Sequence, residues 1–220
     1  MPEDDAPSHF PTGIFPESVA GWIADGAIDP PLAAVLWLLA EGGVPLLVAD
    51  NDAGAGRALA SALDVFGRPP ILLSTFPRSV EAASLEEVQA RLAEPPYALT
   101  EDAIRSVGVV LVLTELPDGR RRVRAAHYVR PLEQDPEGHL QRRPPALLAA
   151  WDAERDRLDD YAWGITTELA GRVGREPVAF ERARSERSRL LDDLARRGIV
   201  SSADVASAIL AARDAPPRTQ

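Results

Sequence analysis

Apolar residues follow two rhythms along this chain. Val44 to Ala49 and Val109 to Leu113 are unbroken apolar runs of strand length, the pattern of buried strands. Leu32 to Ala40 is also apolar throughout, but helix signals flank it. Asp29 can cap it, Pro30 and Pro31 suit its first turn, and Gly42 or Gly43 stops it. A helix that is apolar all round belongs deep in a core, with Trp37 as a core side chain. Ahead of it, PESVAGWIADG predicts a short helix from about Glu17, ended by Gly26.

After the first strand the pattern predicts a loop at 50–56, a helix at about 56–65 and a second short strand in PPILLSTF. SLEEVQARLA opens with the capping pair Ser84 and Glu87 and sets Leu85, Val88 and Leu92 on one face. LTEDAIRSVG is a short helix with Thr100 as cap. Val109 to Val129 reads as a hairpin turning at Pro117-Asp118-Gly119, its first strand covered on both faces and its second alternating. Residues 131–147 are rich in proline and arginine, with a turn at Asp135 to Gly138. Helical patterns follow: one ending at Gly174, one over 176–198 with Pro177 in its first turn, and one with Ser202 as cap. In the second, Arg189 with Asp193 and Asp192 with Arg196 stand at i,i+4. The organisation expected is a loose arm at 1–13, an α/β unit at 14–150, a helical region at 151–214 and a tail at 215–220.

Composition narrows the chemistry. The 220 residues carry a net charge of −10, which disfavours nucleic acid and anionic membranes as partners. Cysteine is absent, so thiolate chemistry and disulfides are excluded. His9, His127 and His139 lack metal-ligand spacing, and no metal is expected. No apolar run has the length of a membrane span, the start is acidic where a signal peptide is basic, and a cytoplasmic protein is expected. All 24 basic residues are arginine.

That last fact bears on VPLLVADNDAGAGRALASALDVF, residues 44–66, which has the outline of a phosphate-binding loop. Such a loop cradles phosphates with backbone N–H groups, neutralises them with a lysine and holds magnesium with a hydroxyl. With its second glycine set on Gly56, the motif becomes NDAGAGRA, residues 51–58. Gly54 and Gly56 keep a tight backbone around Ala55, but Arg57 replaces the lysine and Ala58 the hydroxyl. Asp50 and Asp52 stand where a polyphosphate would approach. At about 6 Å and an effective dielectric near 20, one carboxylate against one phosphate charge costs about 3 kcal/mol. A calcium loop does not fit, because its fifth position is Gly54 and its twelfth is Ser61. Ser61, Asp64 and His127 form no recognisable nucleophile–base arrangement.

Taken in order, LAAVLWLLAEGGVPLLVADNDAGAGRALASAL, VEAASLEEVQARL, VGVVLVLTELPDGRRRVRAAHYVRP and the C-terminal stretch from LLAAWDAERDRLDDYAWG onward resemble the motor domain of the type II/type IV secretion and archaellum-assembly ATPases, a RecA-like branch. The resemblance implies a shortened RecA-like P-loop sheet with flanking helices and a helical C-terminal extension. Family members place an acidic box and a Walker B strand between the phosphate loop and a histidine motif. Here only Phe66 to Ser79 lies between, too short for them, and the histidine position is Glu81. Glu86 and Glu87 read as a solvated helix face. Arg120, Arg121 and Arg122 read as an exposed basic edge that discourages strand pairing.

The expectation is therefore a catalytically inactive member with no catalytic residues, acting as a binding, scaffold or regulatory subunit linked to a secretion, pilus or archaellum-type assembly. The alternative is a remnant nucleotide-binding protein or ATP hydrolase that holds ATP or ADP weakly at Gly54, Ala55, Gly56, Arg57 and Ala58. Losing central strands exposes apolar surface, so a protein partner or a homo-oligomer is expected, without insertion in a membrane.

Overall fold

The computed structural model describes residues 15–67, 76–134 and 137–214. The expected arm, most of the strand in PPILLSTF, the first half of the Asp135 to Gly138 turn and the tail lie outside the described residues.

Local capping sets the helix starts. Ser18 Oγ accepts from the Gly21 N–H at 3.2 Å and opens α1 (Val19–Ala24). Asp29 accepts from the Leu32 N–H at 2.9 Å and opens α2 (Pro30–Glu41). Leu32 to Leu39 are all buried, because the long helix α7 (Pro177–Arg196) and the 3₁₀ turn Asp64–Phe66 pack against α2. Each large side chain so buried contributes about 1.5–3 kcal/mol. Trp37 stacks on Phe66 with centroids 5.3 Å apart.

One six-stranded mixed sheet organises the α/β fold. β1 (Leu46–Asp50) lies parallel between β2 (Ser79–Glu81) and β3 (Val109–Glu115). β4 (Arg121–Tyr128), β7 (Ala146–Asp152) and β8 (Arg157–Asp160) continue beyond β3 as an antiparallel meander, giving the order β2-β1-β3-β4-β7-β8. β5 (Glu133–Gln134) and β6 (Leu140–Gln141) pair as a separate ribbon.

The continuous apolar run of β3 is explained by cover on both sides. Val109, Leu111 and Leu113 join the main core with α1, α2, α3 (Ala53–Leu63), α6 (Thr166–Arg172), α7 and α8 (Ser202–Asp214). Val110 and Val112 face a smaller core built with α4 (Leu85–Ala93) and α5 (Glu101–Arg105). Ser84 and Thr100 cap those two helices through the N–H groups of Glu87 and Ala103.

Several local expectations are corrected. The helix expected from residue 56 begins at Ala53, because Asp52 accepts from the Gly54 N–H at 2.9 Å and nucleates the turn early. Ser201, not Ser202, receives the cap bond, from the Asp204 N–H. Asp193 pairs with Arg197 at 3.0 Å rather than with Arg189, while Asp192 and Arg196 pair as the spacing predicts. The division expected at residue 150 falls inside β7, and residues 157–160 add a further sheet strand. The helices that follow do not stand apart, since Phe180, Leu191 and Leu194 of α7 are part of the main core.

Candidate functional site

The parallel strands β1, β2 and β3 end at one rim of the sheet, the place where open α/β sheets bind ligands. Three acids mark it: Asp50 ends β1, Glu81 ends β2 and Glu115 ends β3. Asp50 is 1% exposed. Burial pushes its carboxyl pKa up, opposed by the backbone N–H of Asp52 and by the Arg121 guanidinium.

Arg121 reaches this acid from the far side of β3. The hairpin register sets it opposite Glu115, and its side chain crosses toward β1. Its Nη1 donates to Asp50 Oδ2 at 3.2 Å, and its Nη2 to Asp52 Oδ2 at 3.0 Å. Nη2 also lies 2.6 Å from Glu115 Oε2. A planar guanidinium suits this work, since its fork can engage several carboxylates at once. The cluster keeps a formal excess of negative charge, three acids against one base.

The five residues aligned with a phosphate loop are wound into the first turns of α3. The Gly54 N–H donates to Asp52 Oδ1 and the Gly56 N–H to Asp52 O at 3.3 Å, so Asp52 engages two of the donors that phosphate would need. Ala55 is wholly buried, and Ala58 packs partly buried against the main core. Gly56 is buried where α3 meets β1, and a Cβ placed there would come within 3.1 Å of Asp50 Cβ. Arg57 is exposed on the β2 side of β1, away from Arg121, and its side chain makes no hydrogen bond or ion pair among the described residues.

The arginine run at 120–122 is not an exposed edge. β4 lies between β3 and β7, and Arg122 is 6% exposed. It donates to Asp156 at 3.1 and 3.2 Å and to Asp25 O at 3.0 Å, and holds the Asp156 carboxyl down at about 2. Arg120 pairs with Asp118 and Asp156. Sequence reasoning missed Arg121 as a site residue because its partners lie about seventy positions earlier. The only local signal was an arginine beside a tight turn, and the strand order was needed to read it.

Glu86 and Glu87 are exposed on α4, and Glu87 accepts from the Ala83 N–H at 2.8 Å. His127 is half-buried on β4, where burial pushes its pKa down against the pull of Glu86. The Asp64 carboxylate pairs with Arg78, while its backbone N–H donates to Ser61 O. Among the described residues, no group of three or more histidine or acidic side chains could hold a metal ion, and no helix is long and apolar enough to cross a membrane. A largely apolar cavity of about 530 Å³ between the end of α2, β1 and α3 is lined by Val44, Leu46, Leu63 and Phe76, and the Arg78–Asp64 pair also borders it. The chain matches no known family model, and no curated protein matches it.

Proposed function

We propose that this protein is a catalytically silent relative of the secretion and archaellum motor ATPases, with a shortened RecA-like sheet, and that it serves as a binding or scaffold subunit of a larger assembly. The observation that carries the reading is Arg121 bridging Asp50 and Asp52. Where a motor would draw phosphate against neutral glycines, this chain keeps a carboxylate cluster already neutralised in part by its own guanidinium. A triphosphate would have to displace that cation and then face three acids. Phosphoryl transfer depends on placing a metal and compensating charge, and neither Ala58 nor Arg57 is suited to that work. The parallel β2-β1-β3 arrangement, the turn into α3 and the β3–β4 hairpin support the fold part of the reading. Trp163, 71% exposed, and Val178, 78% exposed, favour the partner part.

Isothermal titration and thermal shift with ATP and magnesium test it. The expected result is no saturable heat and no rise in melting temperature at millimolar nucleotide; a micromolar dissociation constant overturns the reading. A second reading, a remnant nucleotide-binding protein using Gly54 to Arg57, draws on the unpaired Arg57. It predicts a clear rise in melting temperature with ATP or ADP by linkage.

A further inference from the structure

We propose that the cleft between α3, β2 and α4 binds a small compound carrying a single phosphate group, held by Arg57 and Arg91. The cleft has a volume of about 310 Å³, and Arg57, Ser79, Glu81, Arg91 and Tyr97 line it. That is the low end of the range for ligand pockets, which begins near 300 Å³. It lies along β2, on the opposite side of β1 from Arg121.

The charge distribution singles this cleft out. The chain carries 34 acidic and 24 basic residues, so an arginine finds a carboxylate easily. Arg78, Arg105, Arg121, Arg122, Arg130 and Arg184 do, whereas Arg172, Arg182 and Arg189, like Arg57 and Arg91, have no such partner among the described residues. Arg57 and Arg91 come from different helices, line one cleft, and make no ion pair or side-chain hydrogen bond among the described residues. Glu81 lines the same cleft yet pairs with neither. Two guanidinium groups lining one cleft can share an anion, and their fork geometry matches phosphate oxygens.

The remaining lining sets the class of ligand. The hydroxyls of Ser79 and Tyr97 have no hydrogen-bond partner among the described residues and can serve a phosphate oxygen or the hydroxyl of an attached body. Glu81 repels a second phosphate and accepts from a hydroxyl, which selects a phosphate monoester over a polyphosphate. This site shares Gly56 and Arg57 with the strand–turn–helix but lies on the β2 side of β1, away from Arg121, and takes its second cation from α4.

The test is calorimetric titration of the full chain with glycerol phosphate, inorganic phosphate and pyrophosphate. Saturable binding of glycerol phosphate is expected, tighter than pyrophosphate. Arg57→Gln and Arg91→Gln should each weaken it about tenfold or more, as loss of a charge-assisted hydrogen-bonding partner does, with melting curves unchanged. No saturable binding in the millimolar range, or an Arg91→Gln variant that binds like the parent, overturns the proposal. Arg91→Gln removes a residue of this cleft that the strand–turn–helix does not contain, so titrating it with magnesium and ATP tests the silent-motor reading while its loss of glycerol phosphate binding tests this proposal.

Discussion

Arg187 of α7 donates to Glu41 at the end of α2 across 2.7 Å, tying together two helices that lie far apart in sequence. The same carboxylate accepts from Trp37 Nε1 at 3.0 Å and from Arg213 Nε of α8 at 3.2 Å, and Arg175 lies 3.7 Å away. The Arg187 guanidinium also sits 4.9 Å above the Trp37 ring. Glu41→Gln removes the charge while keeping the shape, leaving half-buried cations uncompensated. The expected loss is about 2–4 kcal/mol of unfolding free energy by urea titration. A loss within experimental error would show that the hub is ornamental to stability.

Arg121 neutralises Asp50, whose side chain is 2% exposed. Arg121→Ala should therefore destabilise by about 3 kcal/mol, chiefly by leaving a buried carboxylate alone. Adding Asp50→Asn should recover much of that loss. A double-mutant cycle then gives a coupling energy above about 1 kcal/mol, and additivity of the two changes would contradict the geometry.

Asp29 caps α2 from a half-buried position beside Asp160 and Arg184. Burial raises its pKa to about 6 from 3.8, with Asp160 adding to the rise and the Leu32 N–H and Arg184 opposing it. The folded state thus holds this proton more tightly than the unfolded chain does. The associated stability is full below pH 3.8 and is lost as pH rises through about 6. Asp29→Asn keeps a capping oxygen but does not titrate. The difference in stability between parent and variant should shift by about 3 kcal/mol in favour of the variant between acid and neutral pH. A difference that stays flat across that window refutes the assignment.

Two glycines separate backbone strain from crowding. Gly119 has φ +83° at the hairpin turn with open space around it, and Gly108 has φ +81° with Pro45 O only 2.7 Å from where a Cβ would sit. Gly119→Ala should cost about 1–2 kcal/mol, the left-handed penalty alone. Gly108→Ala adds a clash with backbone, and its melting temperature should fall well below that of Gly119→Ala. Equal losses would show that the chain before β3 yields.

Elements with a local cause were legible in the sequence. Asp29, Ser84 and Thr100 cap the helices they were expected to cap, and β3 and β4 form the hairpin around Pro117 to Gly119. What escaped depends on contacts distant in sequence. Ala146–Asp152 and Arg157–Asp160 belong to the sheet because β7 pairs with β4, a partner that no local pattern specifies. The start of α3 shifted because one aspartate side chain outweighed the loop-forming tendency of two glycines. The meeting of Arg121 with Asp50 needed the order β1-β3-β4, which composition and spacing do not encode.

The cover that α7 lays over α2 has a consequence for biogenesis. A ribosome makes the apolar stretch Leu32 to Leu39 well before its covering side chains, Phe180, Leu191 and Leu194. Until those later residues emerge, the nascent polypeptide carries its greasiest surface bare. It must wait, shielded by transient collapse or by a chaperone, and cannot close its interior piece by piece.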